Sequence, residues 1–161
     1  MKLKSLTVRD IMTPRTVMLL VDQDTKAMDF YKANPTLRFS RIPIYEDAQD
    51  HVIGMVLKDE ILTQLVEGRS DLQLKEIARP IVAVRDSLTL QELFKTLTEQ
   101  RIHMVIVVDE YGSLVGLVTM EDLFETLLGM EIMDESDADA DLQALARKRW
   151  EERARKTGLI E

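Results

Sequence analysis

The feature that most constrains this chain is that it repeats itself. VRDIMTPRTVMLLVDQDTKAMDFYK aligns with LKEIARPIVAVRDSLTLQELFKTL, and SRIPIYEDAQDHVIGMVLKDEIL aligns with HMVIVVDEYGSLVGLVTMEDLF. Ile11 and Pro14 fall on Ile77 and Pro80, 66 positions on, and Gly54 falls on Gly116, 62 positions on. A duplicated unit of this length must reproduce one supersecondary pattern twice, so each half is read as strand, helix, strand, strand, helix. VMLLV (17–21) and IVAV (81–84) are short aliphatic runs closed by Asp-containing turns and read as strands. Leu88, Leu90, Leu93, Phe94 and Leu97 recur at helical spacing after Asp86 and Ser87, which can cap. Ala27, Met28, Phe30 and Tyr31 do the same after Asp24. RIPIYEDAQDHVIGMVL and MVIVVDEYGSLVGLV read as hairpins, the second with Gly112 at a turn position suited to positive φ. EILTQLV and EDLFETLL close the halves as helices. The expected class is α/β, two β-α-β-β-α repeats over 8–68 and 74–130.

Beyond Leu128, EIMDESDADAD sets Glu131, Asp134, Glu135, Asp137, Asp139 and Asp141 within eleven residues and reads as an acidic linker. LQALARKRWEERARK follows as a marginal helix, capped by Asp141, with cations toward its C-terminal end and with Leu142, Leu145 and Trp150 as docking residues. Residues 131–161 thus form a linker and C-terminal helix outside the repeats.

Composition excludes several classes. With 161 residues and 45% hydrophobic content the chain can bury a core. It has no cysteine, hence no disulfide framework and no thiolate chemistry. A net charge of -8 with pI near 4.9 argues against a nucleic-acid partner, which requires concentrated basic surface. His51 and His103 stand apart without a zinc-binding pattern. A calcium loop counted from Asp137 puts Leu142 at the glycine position and Lys148 at that of the bidentate glutamate, so it fails. No phosphate-loop, dinucleotide-binding or nucleophile-elbow motif occurs, and no nucleophile is paired with a base, so no enzyme is expected and no catalytic or metal residue is assigned.

GLVTMED (116–122) carries the chemistry that remains. Thr119 and Asp122, three apart at a strand-to-helix junction, can form a capping box. The same pair can also face a ligand. The two readings are compatible.

VRDIMTPRTVM, SRIPIYE, HMVIVVDEYGSLVGLVTMEDLFETLLG and the following EIMDESD, in this order, resemble the tandem CBS-domain pair of the CNNM/CorC family of membrane proteins linked to magnesium and cobalt transport, also labelled hemolysins. The likeness is strong over 8–130 and moderate in the acidic tail. It implies an adenosine nucleotide, AMP or ATP, with or without magnesium. Asp122 would accept from the ribose and Thr119 would lie near the phosphates, with Thr16, Val17 and Met18 flanking the adenine. Ser40, Arg41, Ile42 and Pro43 would lie by the sugar and phosphates, Arg41 as phosphate cation. The related junction departs from the pattern: Leu57 and Glu60 replace Thr119 and Asp122, and His103 and Met104 replace Ser40 and Arg41. One competent site per chain is expected. The family places its CBS pair behind a transmembrane domain, so the resemblance implies a fragment acting at the cytoplasmic face of the inner membrane, homodimeric, relaying nucleotide occupancy to that domain. The alternative is a ligand-free structural dimerisation module.

Overall fold

A computed structural model describes residues 6–135 and 142–157. The chain forms two compact units, one built from residues 1–18 and 82–161, the other from 19–81. These do not follow the repeat boundaries, because each repeat surrenders its opening segment to the other unit.

In the first unit, α1 (Val8–Ile11) and β1 (Thr13–Pro14) join β5 (Val82–Arg85), α4 (Leu90–Gln100), β6 (Met104–Val108), β7 (Leu114–Thr119) and α5 (Met120–Glu135). The sheet order is β1-β7-β6-β5, with β5 parallel to β6 and the other pairs antiparallel. Its core gathers Val8 and Ile11, the α4 stripe Leu90, Leu93 and Leu97, and Val105, Val107, Val118 and Leu123, all buried. In the second unit, β2 (Val21–Asp22), α2 (Ala27–Ala33), β3 (Arg41–Tyr45), β4 (Val52–Leu57) and α3 (Lys58–Val66) make a sheet of order β2-β3-β4. Leu74, from the opening segment of the second repeat, enters that core beside Phe30, Ile42, Ile44, Val56 and Ile61.

The matched glycines mark where the borrowed segments cross. A Cβ on Gly116 would lie 2.4 Å from the Thr13 carbonyl oxygen, and one on Gly54 would lie 2.6 Å from that of Arg79. Both hairpins form as the sequence predicts, and Gly112 has φ +82°. Asp109 Oδ1 accepts from the Tyr111 and Ser113 amides at 2.9 Å to hold that turn.

Four local expectations are corrected. VMLLV is not a strand: 15–17 form a 3-10 turn and only Val21–Asp22 pairs, with Ile44–Tyr45, since the intervening residues have no neighbouring strand. Thr89, not Asp86 or Ser87, caps α4 through a reciprocal box with Glu92, while Asp86 pairs with Arg9. Asp24 does not cap α2; the Ala27 and Met28 amides donate to the Leu72 and Ser70 carbonyls, and Asp24 binds Lys75 at 2.9 Å. The acidic stretch does not begin as a linker, because α5 runs on to Glu135. Residues 136–141, including the Asp141 cap, lie outside the described residues. The C-terminal helix α6 (Leu142–Thr157) is present and packs on α1 and α5. The docking expected of Leu142 and Leu145 lies outside the described side chains.

Candidate functional site

The two strand-to-helix junctions share one main-chain plan and differ in side chains. In the first unit the Met120 amide donates to the His103 carbonyl at 2.8 Å; in the second the Lys58 amide donates to the Ser40 carbonyl at 2.9 Å. On the first, Asp122 Oδ2 accepts from the Thr119 amide at 2.9 Å, and the Asp122 amide donates to Thr119 Oγ1 at 3.1 Å. The capping box therefore exists. It uses one carboxylate oxygen and one hydroxyl lone pair, leaving Asp122 Oδ1 and the Thr119 hydroxyl proton for other partners. On the second junction, Leu57 offers no side-chain cap and Glu60 pairs with Arg79 at 3.3 Å.

Register explains the remaining asymmetry. Thr119 stands opposite Met104 and Arg41 stands opposite Leu57, so the hydroxyl and the arginine occupy matching junctions of different units. Thr16 and Val17 sit in the 3-10 turn that packs against β7, and Met18 closes that turn by donating its amide to the Arg15 carbonyl at 3.1 Å. The first unit thus sets the turn of Thr16 and Val17, followed by Met18, against β7, the strand that ends at Thr119. Ser40, Arg41, Ile42 and Pro43 lie at the start of β3 in the second unit. Ser40 is exposed and Arg41 half-buried, whereas Ile42 belongs to the core and presents only its main chain. An expectation weakens here: the free helix-start amides that favour an anion are partly consumed, since those of Thr119, Met120 and Asp122 already donate within the chain.

Sequence reasoning missed what covers Asp122. Arg153 of α6 places a guanidinium nitrogen on Asp122 Oδ1, and its Nε lies 3.1 Å from Glu125 Oε2. Trp150 Nε1 donates to Thr13 Oγ1 at 2.6 Å. Asp122 is consequently 3% exposed. Burial raises the Glu125 pKa, helped by the negative charge of Glu121 and opposed by Arg149 and Lys156. Burial likewise lowers that of Arg153, against the pull of Glu121. The only signal in the sequence was the cationic helix itself; nothing local said which acid it would meet.

Comparison with known proteins decides the family. The sequence model of the CBS domain matches residues 74–129. A solved CBS domain of a bacterial CNNM/CorC family Mg2+ transporter, in complex with ATP, superposes with TM-score 0.75 at 32% identity, covering 80% of this chain and 91% of that one. This chain belongs to the CNNM/CorC CBS domains. The magnesium and cobalt efflux protein CorC of Vibrio cholerae is 39% identical over 138 residues, 85% of this chain and 47% of the relative. A CBS-domain pair from Klebsiella pneumoniae with bound AMP matches with TM-score 0.69 at 27% identity, covering 77% of this chain and 99% of that one. The chain spans about half or less of the curated relatives' length. Among the described residues no helix is long and apolar enough to cross a membrane, and no cluster of acids and histidines could hold a metal ion.

Proposed function

We propose that this CNNM/CorC CBS module is a regulatory adenine-nucleotide sensor, not an enzyme, within a membrane protein that handles magnesium or cobalt. The observation that carries the reading is the asymmetry of the junctions. Of the two junctions, the first alone carries a completed Thr119–Asp122 cap, whose second carboxylate oxygen faces a cation, Arg153, and whose hydroxyl keeps its proton, whereas Leu57 and Glu60 form no such cap. A carboxylate accepting from vicinal ribose hydroxyls makes charge-assisted bonds. Thr16, Val17 and Met18 would flank the adenine and Thr119 would donate to phosphate; by the family resemblance Ser40, Arg41, Ile42 and Pro43 are the remaining proposed contacts, Arg41 as the phosphate cation. The solved relatives holding ATP and AMP support this ligand class. Magnesium would accompany ATP through the phosphates.

The module acts by population shift: a nucleotide changes the arrangement of the chain only through its differential affinity for one state. Its partners would be a second copy of the chain and the transmembrane domain of the parent protein, and its place the cytoplasmic face of the inner membrane. The dimer surface is proposed on α5, where Phe124 and Leu128 are 48% and 60% exposed and Phe124 meets Phe94 edge to face at 6.3 Å.

Calorimetry with ATP and AMP, with and without magnesium, tests the site. One nucleotide per chain is expected. Asp122→Ala removes the charged acceptor, worth roughly 1.5 to 3 kcal/mol, hence tenfold or more in affinity, whereas Glu60→Ala leaves binding nearly intact. Two equivalent sites, or unchanged binding after the loss of Asp122, would overturn the assignment. No binding at all would favour the rival structural dimerisation module.

A further inference from the structure

The carboxylate that the nucleotide needs is already held by the chain itself. The cap fixes Asp122 Oδ2, Arg153 takes Oδ1, and α6 leaves the side chain 3% exposed. Arg153 is itself mostly covered and reaches a second acid, Glu125, so its guanidinium bridges two carboxylates on consecutive turns of α5. One turn earlier on α6, Trp150 fastens the helix to Thr13, just before the 15–17 turn that carries the proposed adenine contacts. Ala154, beside Arg153, is buried at 3%. Arg153 is thus held on Asp122 by a helix that Trp150 also fastens and on which Ala154 is buried.

We infer that α6 is an intramolecular competitor of the nucleotide, with Arg153 standing on Asp122 in place of the ribose hydroxyls. This rests on the nucleotide reading above. Arg153 gives Asp122 Oδ1 one guanidinium nitrogen, and a ribose donating to the same buried carboxylate would need the space that the guanidinium fills. The nucleotide binds when α6 lifts, so its apparent affinity is the intrinsic one reduced by the fraction of chains with the helix released. The module then has two states, closed by its own helix or open and liganded, and any partner that captures α6 raises nucleotide affinity by the same factor that nucleotide raises the partner's.

Trp150 is the single tryptophan of the chain, so its emission reports α6 directly. In the 161-residue chain, saturating ATP is expected to shift Trp150 emission to the red and expose it to quenching by iodide. Arg153→Gln should also release the helix and tighten ATP binding in calorimetry by about tenfold, within the usual range of coupling between sites, while Arg153→Lys falls between. If ATP binds but Trp150 does not respond, or if Arg153→Gln binds ATP no better or more weakly than the parent, the competitor role is wrong and the nucleotide reading stands. If neither the parent nor Arg153→Gln binds any adenine nucleotide, both readings fall.

Discussion

Replacing Gly116 by alanine tests at once how the first unit is assembled and how it serves the site. The added Cβ would stand 2.4 Å from the Thr13 carbonyl oxygen and 2.8 Å from Met12 Sδ. Ordinary contact needs roughly 1 Å more than the first of these, so the β1 segment has to withdraw, since Gly116 lies inside the β6–β7 ladder and cannot. Overpacking of this kind costs about 1 to 3 kcal/mol, and losing the pairing of a two-residue strand adds on the order of one hydrogen bond, about 1 kcal/mol. The expected loss is about 2 to 4 kcal/mol, a fall of about 10 °C in melting temperature for a chain of this size. Gly112→Ala is the control: that residue has φ +82° and open space around its Cβ, so only the left-handed backbone is penalised, by about 1 kcal/mol. Because β1 leads directly into Thr16, Val17 and Met18, Gly116→Ala should also weaken ATP binding in calorimetry, whereas Gly112→Ala should not. The reasoning is refuted if Gly116→Ala melts no lower than Gly112→Ala, or if it melts lower yet binds ATP unchanged.

Other outcomes follow from the same geometry. Thr119→Val should weaken AMP and ATP more than adenosine in a calorimetric series, since only the phosphates use the hydroxyl proton, and should cost about 1 kcal/mol in stability through the lost cap. Glu125 has its pKa raised above the ordinary 4.5 by burial, so the folded state favours its protonated form. That contribution is present below the unfolded value and lost as pH rises through the raised one. Melting curves from pH 4 upward should therefore show a decline in the parent that Glu125→Gln lacks. Replacing Phe124 or Leu128 by glutamate should shift sedimentation from dimer to monomer at micromolar concentration while the chain stays folded, as both side chains are largely exposed.

Much of the site was legible because it is local. The Thr119–Asp122 box is a three-residue spacing at a strand end, and the Gly112 turn is four residues long; both depend on main-chain geometry that neighbouring residues impose. The repeat also made the two junctions comparable before any coordinates, which is how Leu57 and Glu60 stood out against Thr119 and Asp122. Caps were misjudged at Asp24 and Asp86 because each acid found a distant cation, Lys75 or Arg9, and distant partners leave no mark on local spacing. VMLLV reads as a strand by composition, yet a strand exists only where another lies alongside.

What the sequence determined by itself is therefore the periodic part: two copies of one α/β unit, their hairpins, their buried helical stripes and the chemical difference between their junctions. Those follow from spacing along the chain, which hydrophobic burial and main-chain hydrogen bonding read directly. What only the tertiary structure decided is the long-range part: that each unit borrows the opening segment of the other repeat, that Gly54 and Gly116 are small because a carbonyl crosses them, and that Arg153, 31 residues away, sits on Asp122. A cation on a polar helix can pair with any of many acids. Which one it meets is set by the packing of α6 on α1 and α5, where Trp150 and Ala154 fix the helix and leave the guanidinium facing one buried carboxylate.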